Sequence, residues 1–369
     1  MDRTLVFRRG LMTRLLRASV VGLPVAAVAG AACGANVVVD QSAGSTAGTG
    51  GTGGAGTTNA TIQEMCFAWP PPGTGAPACP DQTQAPTNLG PQLTYACDQV
   101  LSGGAFTGTA CCYEVQIIHC LGTGRPYAGG GRPRTAPPQR ASEPEASRPD
   151  LAGLTPSLRA RLAAAWAADG LLEHASIASF GRFAFELMAV GAPPELVAEA
   201  HRAALDEVEH ARLCLGLAGA YAGEGVAPGP FPFEGRVAVS HDLADVAARA
   251  AREGCVGETL ASVQAAEQLA WAEDPRVHEA LTIIVEDEAR HAELSWRFVA
   301  WAIGRGGAEV RAAVARAFAE PVALPERRGA LPPSMRAHGR LDPALLRAAL
   351  ERALDDVVRP CAERLLAAA

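Results

Sequence analysis

The chain has 369 residues, of which 49% are hydrophobic and 19% charged, with a formal net charge of −7. This balance excludes a disordered or collagen-like chain, gives no basis for nucleic acid as a partner, and leaves room for more than one domain. Basic residues cluster in two places: Arg3, Arg8, Arg9, Arg14 and Arg17, and a Pro-mixed group from Arg125 to Arg140.

Residues 1–33 read as an export signal. The first arginines precede an apolar stretch from Ala18 to Ala32 that is too short for a comfortable membrane span. Gly30-Ala31-Ala32-Cys33 resembles a bacterial lipobox, with Gly30 where a large aliphatic residue is usual. Lipidation of Cys33 would anchor the chain to a membrane; cleavage after the small residues is the alternative. Arg8-Arg9-Gly10-Leu11-Met12 resembles a twin-arginine signal, although Phe7 stands where Ser or Thr is usual, and a start at Met12 would leave a Sec-type signal. The expected location is the cell envelope, on the periplasmic or outer-membrane face.

Residues 34–60 are dominated by Gly, Thr, Ser and Ala and offer little apolar surface to bury, which predicts a flexible tether. Residues 61–121 carry Cys66, Cys79, Cys97, Cys111, Cys112 and Cys120. So dense an even set in an exported segment with few large apolar residues reads as a disulfide framework. Cys111 and Cys112 are adjacent, where a mutual bond departs from normal disulfide geometry, so each needs its own partner. Residues 122–150, rich in Pro, Arg, Gly and Ser, read as a second linker.

Residues 151–304 are expected to be all helical. A first helix runs from about Ser157 to Val190, and Gly191 with Pro193 and Pro194 opens a second that reaches about Tyr221. A third starts at a Ser240 cap and ends near Glu273; Asp274-Pro275 starts a fourth that reaches Ile303. Short turns make two antiparallel hairpins, and the long Ala222–Val239 connection suits a crossover that leaves helices two and three parallel. Residues 305–369 are expected to add further helices near Ala308–Ala319 and Pro343–Leu366.

Within these helices one pattern occurs twice: Asp206-Glu207-x-x-His210-Ala211 and Asp287-Glu288-x-x-His291-Ala292. A Glu and a His three residues apart share a helix face and can grip one metal site. Each pattern has a lone upstream glutamate, Glu173 and Glu258, at a similar distance from the hairpin turn. Stepping by three, four or seven from the four glutamates meets mostly apolar or small residues, among them Trp166, Phe180, Ala203, Cys214, Cys255, Ala265, Leu281 and Ile284. Four carboxylates in an apolar core cost several kcal/mol each as unpaired charges, and two divalent cations remove that cost. Oxygen-rich ligation with two imidazoles suits iron or manganese better than structural zinc.

The order Glu173, Glu207-x-x-His210, Glu258, Glu288-x-x-His291 resembles the ferritin-like di-iron carboxylate proteins, the superfamily of bacterioferritin and rubrerythrin. The resemblance implies a four-helix bundle with a long crossover between helices two and three. It implies that Glu207 and Glu288 bridge two metals, that Glu173 and Glu258 are terminal ligands, and that His210 and His291 bind one metal each. Asp206 and Asp287 are candidates to orient the opposite imidazole. The cofactors so implied are two iron ions, with manganese or a mixed pair as substitutes; the partners are O2 or peroxide and an unidentified electron donor or substrate. A rubredoxin-type Cys-x-x-Cys site is lacking. Cys214 and Cys255 are expected on opposite sides of the metal level, unbonded to each other, and Tyr221, Trp271 and Trp296 as packing residues near it. The alternative function is a non-catalytic surface lipoprotein whose metal serves stability only.

Overall fold

The computed structural model describes residues 3–20, 60–69, 78–80, 85, 99–118, 124–129, 132–141, 149–233, 235, 237–322, 324 and 331–367. Most of these are helical. Helix α1 spans Arg3–Val20, α2 Pro156–Ala189, α3 Pro194–Ala222, α4 Leu243–Ala250, α5 Thr259–Trp271 and α6 Pro275–Phe318. A π-helical segment, Ala251–Glu258, joins α4 to α5 without a break in direction. Helices α7 (Pro333–Ala337), α8 (Pro343–Ala353) and α9 (Arg359–Ala367) follow, with a second wide turn, Leu354–Val358, between the last two.

The helix ends follow from local chemistry. Thr155 Oγ1 accepts the Leu158 amide at 3.3 Å and Pro156 opens α2, where a missing N–H does no harm. Asp274 caps α6 by accepting from the Arg276 and Val277 amides at 2.9 and 3.1 Å. Helix α3 stops at Gly223, whose φ of 79° is left-handed. Two boundaries differ from expectation. The cap of α4 is Asp242, which accepts the Asp245 amide, while Ser240 supports the Asp242 amide instead. Helix α6 runs past Ile303 to Gly307, whose φ of 61° and ψ of −138° break it, and a second helix then follows to Phe318, close to the one expected over Ala308–Ala319.

Helices α2 and α3 pack as one hairpin, and α4, the π segment and α5 pack along α6 as another; α3 meets α6 to join them. The apolar face of each turns inward: Phe180, Phe183 and Leu187 of α2 meet Val246, Val256, Trp296 and Phe298 in one cluster, and Trp166, Leu217, Val277 and Leu281 form a second.

The segment expected as a linker is bound to the helices over its described part. Gly124 N donates to Gly257 O at 2.9 Å and Tyr127 N to Ala175 O at 3.2 Å. Pro138–Ala141 pairs antiparallel with Gly225–Pro228 in the α3–α4 connection. Composition hid this because the bonds come from backbone amides and from single buried side chains, which a Pro- and Gly-rich stretch still has.

Upstream, strand β1 (Ala60–Ala68) pairs antiparallel with a strand over Ala110–Ile118, in a register that sets Cys66 opposite Cys112. Disulfides join Cys66 to Cys112 and Cys79 to Cys111, so the adjacent cysteines have separate partners. Tyr113 is buried among Met65, Val100 and Val115, and its hydroxyl donates to Pro80 O at 2.7 Å. Cys33, Cys97 and Cys120 lie outside the described residues.

The N-terminal basic segment forms α1, whose Leu11 and Leu15 are buried in the helical core. Arg8 Nη1 donates to Glu267 Oε1 at 2.9 Å, and Arg14 pairs with Glu293. Among the described residues no helix is long and apolar enough to cross a membrane.

The π segment depends on its glycines. A Cβ on Gly257 would collide with the Gly124 carbonyl oxygen, and one on Gly254 with the Ser295 hydroxyl. Gly257→Ala should therefore lower stability by about 1–3 kcal/mol through overpacking. Gly304→Ala, on an open helix face, should instead raise it by about 0.5–1 kcal/mol. Thermal melting of the two variants checks the contrast, and shifts of the same sign would refute it.

Candidate metal centre

Four helical segments bring the chemistry together. Helix α2 supplies Glu173, α3 supplies Asp206, Glu207 and His210, the last residue of the π segment is Glu258, and α6 supplies Asp287, Glu288 and His291. Two overlapping groups result: Glu173, Glu207, His210 and Glu288, and Glu207, Glu258, Glu288 and His291. In each, one ligand atom per residue lies within 4.8 Å of all the others. Glu207 and Glu288 belong to both groups. Glu207, Glu258, Glu288, His210 and His291 are at most 2% exposed, and Glu173 is half-buried.

The imidazoles are oriented crosswise. His210 Nε2 lies 3.1 Å from Asp287 Oδ2, and His291 Nε2 lies 3.2 Å from Asp206 Oδ2. Each aspartate thus serves the histidine of the other pattern. With Nε2 donating to a carboxylate, the Nδ1 lone pair is left free, and it faces the acids. His291 Nδ1 is 3.2 Å from Glu207, and His210 Nδ1 is 3.5 Å from Glu207 and 3.6 Å from Glu288. Arg290 bridges Asp206 and Asp287 on the outer side.

Whether a metal fits is answered by the orphaned atoms. His210 Nδ1, His291 Nδ1, Glu207 Oε2, Glu288 Oε2 and both Glu258 oxygens are buried without a hydrogen-bond partner among the described residues. Buried polar atoms are normally satisfied, and here six unsatisfied ones converge on one place. They are lone-pair donors of the kind that oxygen- and nitrogen-preferring divalent ions take, so the donor set fits two such ions.

Protonation follows the same logic. Burial, then the neighbouring Glu207 and Glu288, push Glu173 well above the usual carboxylate range; burial, then Glu288, do so to Glu258. Burial and Glu288 also press Glu207 upward, but the nearby His210 and His291 imidazoles outweigh them and leave it low. Glu288 is likewise held low by the two histidines against its burial. Burial presses His210 and His291 down, but Asp287 and Asp206, with the shared glutamates, raise both well above a free imidazole.

Two openings approach the centre. A cavity of about 90 Å³ on the α2–α5 side is lined by Asp169, Glu173, Ser176, Cys214, Gln264 and Glu288. A cleft of about 300 Å³ beside His291 is lined by Arg14, Ala203, Asp206, Arg290 and Arg297, among others. The remaining candidates are not in the two ligand groups, although Cys214 lines the cavity beside Glu173. Glu253 pairs with Arg182, and Cys214 and Cys255 are buried free thiols. Tyr221 bonds His338, Trp296 Nε1 donates to Thr259 Oγ1 at 3.3 Å, and Trp271 is partly exposed beneath Arg336.

One neighbour was not foreseen. Arg125, in the supposed linker, is 1% exposed, with Nε 3.9 Å from Glu258 Oε1 and Nη2 donating to Ser295 Oγ at 3.2 Å. The available signal was Gly254 and Gly257, two glycines within a helix, which mark a close approach of other backbone. Comparison with known protein families, with curated proteins and with solved structures returns no match.

Two predictions follow from this geometry. Glu173, Glu258, His210 and His291 all hold protons to higher pH than usual, and an ion must displace them. Mn²⁺ affinity should therefore climb as pH rises and fall as pH drops, with protons released on binding. Titration calorimetry at pH 6 and 8, in buffers of different ionisation enthalpy, measures both; a pH-independent affinity would contradict the assignment. Asp287→Asn should weaken Mn²⁺ binding about 10–100-fold while leaving the melting curve of the metal-free chain near wild type.

Proposed function

We propose that the chain is a di-iron carboxylate protein that carries out redox chemistry with O2 or peroxide inside a ferritin-like four-helix bundle. The observation that carries this reading is the pair of overlapping ligand groups sharing Glu207 and Glu288. The two helix hairpins and the long segment between α3 and α4 support the bundle with its crossover. Iron, or a mixed iron–manganese pair, would supply one-electron redox chemistry when bound.

Each side chain has a definable part. Glu207 and Glu288 would be shared by two ions, Glu173 and Glu258 would each complete one of them, and His210 and His291 would add neutral nitrogen donors through Nδ1. Asp206 and Asp287 fix the rings so that the donors do not reorient as the charge of the centre changes. Phe180 packs its ring edge-on against His291, with centroids 4.9 Å apart, and helps exclude water from that side. The cavity beside Glu173 is of the size of a few waters, which suits a small oxidant rather than a bulky organic substrate. An electron donor or a substrate from outside this chain would have to supply the electrons. Two disulfides point to an oxidising compartment, which agrees with export to the cell envelope and with anchoring through Cys33.

The test uses the full chain, loaded with Fe²⁺ without air and then mixed with O2 or with peroxide. The expected result is about two irons per chain and a rise in near-ultraviolet absorbance as they oxidise. Two bound irons that resist both oxidants would favour a purely structural metal, and fewer than two would overturn the dinuclear site. Glu207→Gln and Glu288→Gln, which each impair both positions, should reduce bound iron below one per chain and abolish the absorbance change.

A further inference from the structure

The two ion positions share two carboxylates but differ in what surrounds them. The Glu173–His210 position borders the small cavity. The Glu258–His291 position is backed by Arg125. The guanidinium of Arg125 lies 4.9 Å from the Phe180 ring centroid and 4.3 Å from that of Phe183, and Phe180 in turn packs on His291. Arg125 reaches this place through a dedicated opening. Gly124 is held by the Gly257 carbonyl, and Gly254 leaves the space that Arg125 Nη2 and Ser295 Oγ occupy. Its Nε and Nη1 have no hydrogen-bond partner among the described residues, and Glu258 at 3.9 Å is too distant for a hydrogen bond. Arg125 therefore acts on Glu258 by charge rather than by holding it.

We propose that Arg125 is the resident cation of the metal centre, and that it makes the two positions unequal: the Glu173–His210 position fills first and tightly, the Glu258–His291 position second and weakly. This rests on the dinuclear reading above. Within the ligand set, four carboxylates and one guanidinium leave a surplus of negative charge that a first divalent ion reduces without cancelling. With Asp206, Asp287 and their Arg290 counted as well, a second ion brings the sum to neutrality, and it must enter at the end where Arg125 already lies. In the half-loaded chain Arg125 offsets Glu258, so that the vacant half is not an uncompensated buried anion. Repulsion between buried like charges a few ångströms apart is large enough to separate the two affinities by at least about tenfold.

Mn²⁺ is the probe, because it stays divalent in air and an isolated ion gives a six-line paramagnetic resonance signal that coupling to a neighbour broadens. With the full wild-type chain, the six-line signal of bound Mn²⁺ should peak near one equivalent, and the second dissociation constant should exceed the first at least about tenfold. Glu173→Gln should remove the tight step and Glu258→Gln the weak one. Arg125→Met should tighten the second step at least about tenfold and close the gap, while Arg125→Lys keeps it. Equal steps in the wild type, or a Met variant that retains the wild-type gap, would overturn the proposal. Should the Met variant fail to fold, as judged by circular dichroism, Arg125→Gln replaces it, and the wild-type titration remains decisive against the idea if both ions enter together. Fewer than two Mn²⁺ per wild-type chain would instead remove the dinuclear reading itself.

Discussion

Four carboxylates and two imidazoles inside an apolar core set the terms for everything around them. An ionised carboxylate taken from water without compensation is costly enough that it protonates or finds a partner. Here the metal-free chain does both: Glu173 and Glu258 are pushed toward their neutral forms, and Glu207 and Glu288 lean on His210 and His291. The atoms left unsatisfied after these measures all face one point, so the residual strain has one common remedy. A cation at that point would convert the least favourable part of the core into a crosslink between helix hairpins that otherwise meet mainly through α3 and α6.

The backbone is shaped to serve that point. An uninterrupted α-helix through 251–258 would leave no carbonyl free on this face; the wider π turn turns the Gly257 carbonyl outward to the Gly124 amide and sets Glu258 at its end. Gly254 and Gly257 lack the Cβ atoms that would block this approach, which accounts for two poor helix formers in a buried helix. The crosswise bonds from Asp206 to His291 and from Asp287 to His210 couple α3 to α6 at the same level. A shift of either helix along its axis would therefore disturb both rings together, which ties the geometry of the centre to the packing of the hairpins.

Much of this was legible in the chain itself. Helix ends near Ser157, Gly191, Tyr221 and Asp274 could be read because capping and turn chemistry acts within a few residues, and the candidate ligands were visible because Glu-x-x-His is a statement about one helix face. What stayed hidden depends on long-range approach. Arg125 looks like any arginine in a Pro- and Gly-rich stretch; only its distance from Glu258, 133 positions away, makes it part of the site. The π turn escaped because Gly254 and Gly257 weaken an otherwise helical run without specifying how wide its turns become. The strand pairing of 60–68 with 110–118 was masked by cysteine density, which announced the disulfides and said nothing of the register that aligns them.

The N-terminal segment shows why composition underdetermines such regions. Arginines followed by an apolar run describe a segment that a membrane or an export pathway will accept, because both provide apolar contact beside anionic groups. The folded chain provides the same two things. Leu11 and Leu15, one turn apart, share the stripe that enters the core, while Arg8 meets the buried Glu267 and Arg14 meets Glu293. Glu267 has a further, longer contact with Arg352 of α8, so Arg8 is the nearer of two cations that compensate it. Leu11 and Leu15 stand upstream of the Ala18–Ala32 run read as the export core, so the contacts that hold α1 to the helices are made by its arginine-bearing turns and not by that run.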